Sequence, residues 1–193
     1  TTTVINLAAG LAQQEKKVLV IDLDPQGNAT TGLGLSNLEN SSHTIYGVLN
    51  GTKSISEVIK KTKIENLDII TSNVDLSGLE VETANDNERA FILKVKLALY
   101  LNDSRGFYDY ILIDCPPSLS LLTVMALVSS HSLVVPLQTE FFALEGLTQL
   151  MKTIERIKVN LNPELKIRGI LLTMYDKRNK LSAQVETEAR DYF

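Results

Sequence analysis

The fold of this chain is decided by twelve residues that read Lys17-Val18-Leu19-Val20-Ile21-Asp22-Leu23-Asp24-Pro25-Gln26-Gly27-Asn28. Residues 18–21 are apolar and mostly β-branched, which is typical of a short strand buried on both faces of a parallel sheet. Asp22 and Asp24 follow at the carboxyl end of that strand. Ligands of open α/β sheets bind outside such ends. Two carboxylates there can hold a metal–water cluster or orient a water molecule.

A plainer interpretation of the same stretch stays open. A strand that ends in an Asx-Pro turn needs Asp24 only as the acceptor that caps the turn. Both interpretations predict the same strand and differ only in what the acids do.

The composition is that of an ordinary globular protein with a substantial core. Hydrophobic residues make up 44% and charged residues 22% of the 193 residues, and neither a signal-peptide pattern nor an apolar run long enough to cross a bilayer is visible. One cysteine, Cys115, excludes an internal disulfide framework and fits a reducing cytosol. The net charge of −4 argues against a globally basic nucleic-acid binder but allows a local basic patch.

Strand and helix patterns alternate along the chain. We predict strands at residues 17–22, 67–71, 110–114, 132–137 and 168–174. We predict helices at residues 3–14, 54–60, 87–101, 118–129 and 143–159 and from residue 181, with a loop at 32–42. Such repeats indicate an α/β fold with a mainly parallel sheet flanked by helices on both faces.

Both ends of the chain look cut. The sequence begins with three threonines that pass directly into a helical pattern, and its last residues stop inside another helical pattern. We therefore expect one α/β domain over residues 1–193 that is truncated at both ends.

Three features of the sequence indicate nucleotide chemistry when they are taken together. Thr1 and Thr2 stand at a helix start, two acids follow the strand at 17–22, and Asp114 ends a second apolar strand. In a phosphate-binding loop, a Ser or Thr at the helix start binds Mg²⁺ while backbone amides hold phosphate. An acid after another buried strand completes the metal's water shell. The alternative for Asp114 is a turn in which Ser118 caps the next helix.

Several motifs carry a resemblance to a known family. They are Thr1-Thr2-Thr3, the Asp-Leu-Asp-Pro-Gln-Gly-Asn segment at 22–28, the Ile-Leu-Ile-Asp-Cys-Pro-Pro-Ser segment at 111–118, and residues 135–147 and 169–178. With them, essentially the whole chain resembles the ParA/Soj family of partition ATPases, which have a P-loop NTPase fold with a deviant Walker A motif. That motif would lie before Thr1, and the family's C-terminal part, which contributes to its adenine pocket, would lie after Phe193.

The resemblance implies a role for each candidate residue toward ATP and Mg²⁺. Thr1 is implied as the Mg²⁺-binding hydroxyl, and Thr2 as a contact of the nucleotide phosphates. Asp24 would orient the attacking water, Asp114 would hold Mg²⁺ through water, and Asp22 would support this nucleotide-responsive region.

A basic cluster near the last predicted strand supplies candidate DNA contacts. It consists of Lys177, Arg178 and Lys180. The alternative for this cluster is a solvated loop without a partner.

The resemblance also implies a cellular function. It implies an ATP-dependent homodimer that binds DNA nonspecifically in the cytoplasm, on the nucleoid, and hydrolyses ATP slowly under stimulation by a ParB/Spo0J-like partner, with no membrane contact. The fragment alone is expected to be inactive. The alternatives are a MinD-like membrane-cycling ATPase that places the division site, a biosynthetic amidoligase, and a nucleotide-free interaction module.

Overall fold

The structure is a computed structural model that describes residues 1–36, 41–104, 108–140 and 143–192. It divides into two compact units, Thr1–Ser129 and Ser130–Phe193. Each unit has its own small sheet, and the single domain expected from the sequence stays a prediction.

The sheet of the first unit is mainly parallel. Its strands lie in the order β2-β3-β1-β4. Their bounds are Val18–Asp22 for β1, Ile59–Lys61 for β2, Leu67–Ile70 for β3 and Tyr110–Asp114 for β4. β1 is parallel to both β3 and β4, whereas β2 runs antiparallel to β3 at the edge. Because β1 has a neighbour on each side and helices over both faces, all five of its residues are buried.

Helices cover both faces of this sheet. They are α1 (Thr2–Gln13), α2 (Asn28–Gly32), α3 (Ile45–Leu49), α4 (Ile55–Val58), α5 (Leu79–Glu82), α6 (Ile92–Ser104) and α7 (Leu121–Ser129). Side chains alternate along β1, so Leu19 and Ile21 pack into a core shared with α3, α4, α6 and α7. Val18 and Val20 pack into a second core with α1 and α2. The predicted fold class is therefore confirmed.

The second unit contains one parallel strand pair and two long helices. β5 (Ser132–Gln138) pairs with β6 (Lys166–Thr173), and α8 (Ala143–Asn160) and α9 (Lys180–Tyr192) complete the unit. α8 buries Leu147, Met151, Ile154 and Ile157, whose spacing of three and four residues places them on one face. In the described part of the chain, no helix is long and apolar enough to span a membrane.

Four local predictions were wrong. The helix predicted at 118–129 begins only at Leu121, so Ser118 lies three residues before it. The helix predicted at 54–60 ends at Val58, because Ile59 takes an extended conformation and pairs with Ile70 of β3. The helix predicted from residue 87 begins as α-helix only at Ile92, after a 3-10 turn at Arg89–Phe91. A further 3-10 turn, Ser41–His43, interrupts the loop predicted at 32–42. Residues 37–40 of that loop, and Phe141 and Phe142 of the motif at 135–147, lie outside the described residues.

Close backbone packing at Gly47 in α3 provides a test of the fold. A Cβ atom added there would stand 2.1 Å from the carbonyl oxygen of Ser42, which is backbone and cannot swing aside. We expect Gly47→Ala to lower the free energy of unfolding by about 2 kcal/mol or more, as overpacking does. Urea denaturation of the full-length protein measures this change.

Gly10 in α1 supplies the matched control. A Cβ atom at Gly10 meets nothing within 4 Å, and alanine favours a helix over glycine by about 1 kcal/mol. Gly10→Ala should therefore leave stability unchanged or slightly raised. Equal losses in the two variants would contradict the packing described at Gly47.

Candidate functional site

Two buried acids meet at the carboxyl edge of the first unit's sheet. Asp22 and Asp114 are register partners at the ends of β1 and β4, and they are 0% and 2% exposed. The Leu23 amide donates to the Asp114 carbonyl at 2.8 Å, which holds the two strand ends together just beyond the last paired residues. The structure thus brings together acids that are 92 positions apart in the sequence.

The two carboxylate oxygens of Asp114 have different surroundings. Its Oδ1 lies 3.1 Å from the backbone nitrogen of Thr1, so the start of α1 lies directly beside it. Its Oδ2 is buried and has no hydrogen-bond partner among the residues that the structure describes. An unpaired buried carboxylate oxygen is costly. Oxygen ligands of this kind suit Mg²⁺, so Asp114 fits a bound cation.

Asp22, in contrast, has both carboxylate oxygens engaged with its own chain. Oδ2 accepts from the Thr30 amide and from the Thr30 hydroxyl, each at 2.7 Å. Oδ1 accepts from the Asp24 amide at 3.2 Å. Burial raises the pKa of Asp22, and the hydrogen bonds from Thr30 oppose that rise. In this arrangement Asp22 organises the loop after β1 and presents no spare oxygen to a ligand.

Asp24 lies in a tight turn at the same edge. It is 5% exposed, and its Oδ1 accepts from the Gln26 amide at 2.9 Å. The Gly27 amide donates to the Asp24 carbonyl, and Gly27 has a φ of 64°, a left-handed conformation that glycine adopts without strain. The Asx turn of the plainer interpretation is therefore present. It uses Oδ1 and is compatible with a second role for Oδ2.

Thr1 and Thr2 begin α1 with exposed side chains. Thr1 is the N-cap residue, but its hydroxyl makes no capping hydrogen bond. Four amide groups at a helix start lack partners within the helix, and the helix dipole favours an anion there. The first turn of α1 therefore offers donors and hydroxyls next to Asp114.

The first unit offers few protein ligands for a cation. Across residues 1–36, 41–104, 108–140 and 143–192, no group of three or more His, Cys, Asp or Glu side chains could hold a metal. Mg²⁺ commonly binds through one or two carboxylates, with water and substrate phosphates completing its shell. Burial raises the pKa of the Cys115 thiol to about 12, which disfavours the thiolate form.

Sequence reasoning missed Thr30 and Ser72 at this edge. Both residues are fully buried, and the Ser72 amide donates to the Thr30 hydroxyl at 3.0 Å. The sequence feature that could have identified Thr30 is a hydroxyl residue in the short segment directly after Asp22 and Asp24. No periodic pattern marks the five-residue α2 that carries it.

The basic cluster lies in the second unit. Lys177, Arg178 and Lys180 are exposed in the loop after β6 and at the first residue of α9. The Arg178 guanidinium forms a bidentate pair with Asp176, at 2.8 and 3.1 Å. This pair lowers the pKa of Asp176. An exposed ion pair of this kind contributes little to stability, so Arg178 is free to exchange its partner.

Comparison with known proteins gives a consistent result. The AAA domain family matches residues 1–167. The chain is 49% identical over 193 residues to the chromosome partitioning protein ParA of Caulobacter vibrioides (strain NA1000 / CB15N), covering 100% of this chain and 71% of that protein. It is 45% identical to the sporulation initiation inhibitor protein Soj of Bacillus subtilis (strain 168), covering 100% of this chain and 74% of that protein.

A solved structure has the same fold. Cobyrinic acid a,c-diamide synthase from Mycobacterium smegmatis, with bound ADP and magnesium, matches with a TM-score of 0.89 at 36% identity, over 100% of this chain and 76% of that one. The fold is therefore that of the P-loop NTPases. By the length and identity of these matches, the chain belongs to the ParA/Soj family of partition ATPases.

Proposed function

We propose that the protein is a partition ATPase that binds Mg·ATP at the carboxyl edge of the first unit's sheet. In this proposal ATP drives homodimerisation, the dimer binds DNA nonspecifically on the nucleoid, and a ParB-like partner stimulates slow hydrolysis. Its relatives support a role in chromosome or plasmid partitioning. The observation that carries the proposal is the position of Asp114 at the start of α1. Its Oδ1 lies beside the nitrogen of Thr1, the N-cap residue, and its buried Oδ2 has no hydrogen-bond partner in the part of the chain that the structure describes.

The chain's own groups suit each part of Mg·ATP. Backbone amides and the hydroxyl of Thr2 at the start of α1 would hold phosphate oxygens. The Thr1 hydroxyl and Asp114 would hold Mg²⁺, Asp114 through water. Bound Mg²⁺ would offset the concentrated negative charge of the phosphates. The Mycobacterium smegmatis structure with ADP and magnesium supports this choice of cofactor.

Asp24 is the residue that we assign to hydrolysis. Phosphoryl transfer depends mainly on positioning and on charge neutralisation. Asp24 lies two residues beyond Asp22 in a turn held by Gln26 and Gly27. A carboxylate fixed in that way can hold a water molecule in line with the terminal phosphate.

DNA contact is assigned to the cluster of Lys177, Arg178 and Lys180. Because the net charge is −4, affinity for DNA phosphates has to come from a local cluster. These three side chains are exposed and close in sequence. Dimerisation and the ParB-like partner rest on the family alone.

Two other functions are compatible with this scaffold. A MinD-like ATPase would bind anionic vesicles rather than DNA in the presence of ATP. An amidoligase would transfer ammonia from glutamine to a carboxylate substrate, and the likeness to the diamide synthase favours that function. The ParA and Soj relatives are more similar in sequence, so partitioning is the better supported proposal.

Substitution of the two acids should separate their roles. In the full-length protein, Asp24→Ala should bind ATP as the wild type does and should lower hydrolysis about 100-fold or more, because its carboxylate acts on the water in the transition state. Asp114→Ala should weaken Mg·ATP binding about tenfold or more and also lower turnover. Nucleotide titration and phosphate release measure these quantities.

Asp103→Ala controls for the loss of a carboxylate. Asp103 is exposed on α6, so binding and turnover should stay at the wild-type values. Hydrolysis at the wild-type rate in Asp24→Ala would restrict Asp24 to capping its turn. Unchanged Mg·ATP affinity in Asp114→Ala would remove the proposed metal site.

Salt dependence should reveal the DNA contacts. ATP-dependent DNA binding by the full-length protein should fall steeply with salt, because each phosphate contact releases counterions. Arg178→Ala should weaken binding and reduce the slope of log affinity against log salt by about 1. Filter binding across a salt series is the measurement.

Lys16→Ala is the charge-matched control for Arg178→Ala. Lys16 is exposed after α1 in the first unit, so its loss should leave the salt slope unchanged. An equal effect of both substitutions would show a general charge effect, and no effect of Arg178→Ala would place the DNA surface elsewhere.

A further inference from the structure

The geometry points to Thr30 as a positioning residue for ATP hydrolysis, which acts by fixing Asp22 and, through Asp22, the turn that carries Asp24. This inference rests on the proposed function. The hydrogen bonds of the Thr30 amide and hydroxyl go to Asp22 and Ser72. They do not involve Thr1 or Asp114, which are assigned to Mg²⁺, or Asp24, which is assigned to the attacking water.

The hydroxyl of Thr30 has both of its roles filled by residues from different strand ends. It donates to Asp22 Oδ2 at 2.7 Å, at the end of β1. It accepts from the Ser72 amide at 3.0 Å, in the segment after β3. An amide N–H can only donate and an ionised carboxylate can only accept, so the direction of both bonds is determined. Thr30 therefore joins the ends of two neighbouring strands.

Asp22 transmits this constraint to Asp24. The oxygen that Thr30 leaves unused, Oδ1, accepts from the Asp24 amide at 3.2 Å. If the Thr30 hydroxyl is lost, Asp22 keeps only the Thr30 amide on Oδ2, and its carboxylate can rotate. Rotation moves Oδ1 and releases the Asp24 amide. The backbone that places the Asp24 carboxylate would then be less well defined.

Burial makes this network costly to disturb. Asp22, Thr30 and Ser72 are all 0% exposed, so water does not readily replace a lost hydrogen bond. Hydrogen bonds to a charged acceptor are among the stronger ones in proteins. The hydrogen bonds among Asp22, Thr30 and Ser72 do not involve Thr1 or Asp114. Ground-state binding of Mg·ATP should therefore not depend on them.

The chemistry requires a hydroxyl rather than a residue of threonine's shape. Valine has nearly the same volume but neither donates nor accepts, whereas serine keeps the hydroxyl and loses only the methyl group. Thr31, one residue along the same helix, provides the matched control. Among the described residues, its hydroxyl donates to the Gly27 and Asn28 carbonyls and not to Asp22.

The test measures turnover and amide exchange in the full-length protein. Thr30→Val should lower kcat at least tenfold and leave ATP affinity within twofold of the wild type. Thr30→Ser and Thr31→Val should keep kcat within twofold. Without nucleotide, hydrogen exchange at the Asp24 and Ser72 amides should be at least tenfold faster in Thr30→Val and unchanged in Thr31→Val.

A double-mutant cycle separates positioning from simple packing. If Thr30 acts through Asp22, Thr30→Val should cost no further turnover in an Asp22→Asn background. Should Thr30→Val not fold, as judged by circular dichroism, Thr30→Ala takes its place with the same expectations.

Several results would overturn the inference. They are a wild-type kcat in Thr30→Val, a loss in Thr30→Ser equal to that in Thr30→Val, independent effects in the cycle, or amide exchange that does not change. A wild-type protein that neither binds nor hydrolyses ATP would instead overturn the proposed function, and this inference with it.

Discussion

The first unit depends on the burial of two carboxylates at the ends of adjacent parallel strands. Two like charges in a buried setting disfavour ionisation, and burial, with a smaller contribution from Asp114, raises the pKa of Asp22. The chain provides different hydrogen-bond partners for the carboxylates of Asp22 and Asp114. Asp22 receives three hydrogen bonds from Asp24 and Thr30 in the segment after β1. Asp114, at the start of α1, has one oxygen without a hydrogen-bond partner among the described residues. We infer that the first acid organises the site and the second binds a ligand.

Much of this arrangement can be predicted from the sequence, because it follows from strong local patterns. The apolar run at 18–21 identifies a strand buried on both faces, and strands followed by helices imply parallel pairing. Parallel strands place their carboxyl ends at one edge, so the sequence predicts Asp22 and Asp114 at the same edge. That β1 and β4 are direct neighbours there is shown only by the structure. The family resemblance, too, is confirmed by relatives that match the whole chain.

The parts of the structure that were not predicted from the sequence depend on tertiary contacts that a linear pattern does not encode. α2 and α3 have five residues each, too few to show helical periodicity. β2 takes its conformation from pairing with β3, although its residues continue a helical pattern. Thr30 is one of several hydroxyl residues in its segment, and only the tertiary structure shows which of them reaches Asp22. For Asp24, the turn-capping interpretation is observed, and its catalytic role is a proposal.

Because a partition protein and a diamide synthase share this fold, the fold alone does not determine the function. The structure matches a diamide synthase across its whole length, yet the more similar sequences are partition proteins. A carboxyl edge that holds Mg·ATP serves either chemistry.

The most direct test of this account is a crystal structure of the full-length protein with a nonhydrolysable ATP analogue and Mn²⁺ in place of Mg²⁺. The anomalous signal locates the metal independently of any assumption about the site. Our account predicts one Mn²⁺ peak on the Oδ2 side of Asp114, about 4 Å away through a water molecule, with the phosphates at the start of α1. A metal held elsewhere, with Asp114 Oδ2 bonded to the chain itself, would contradict it.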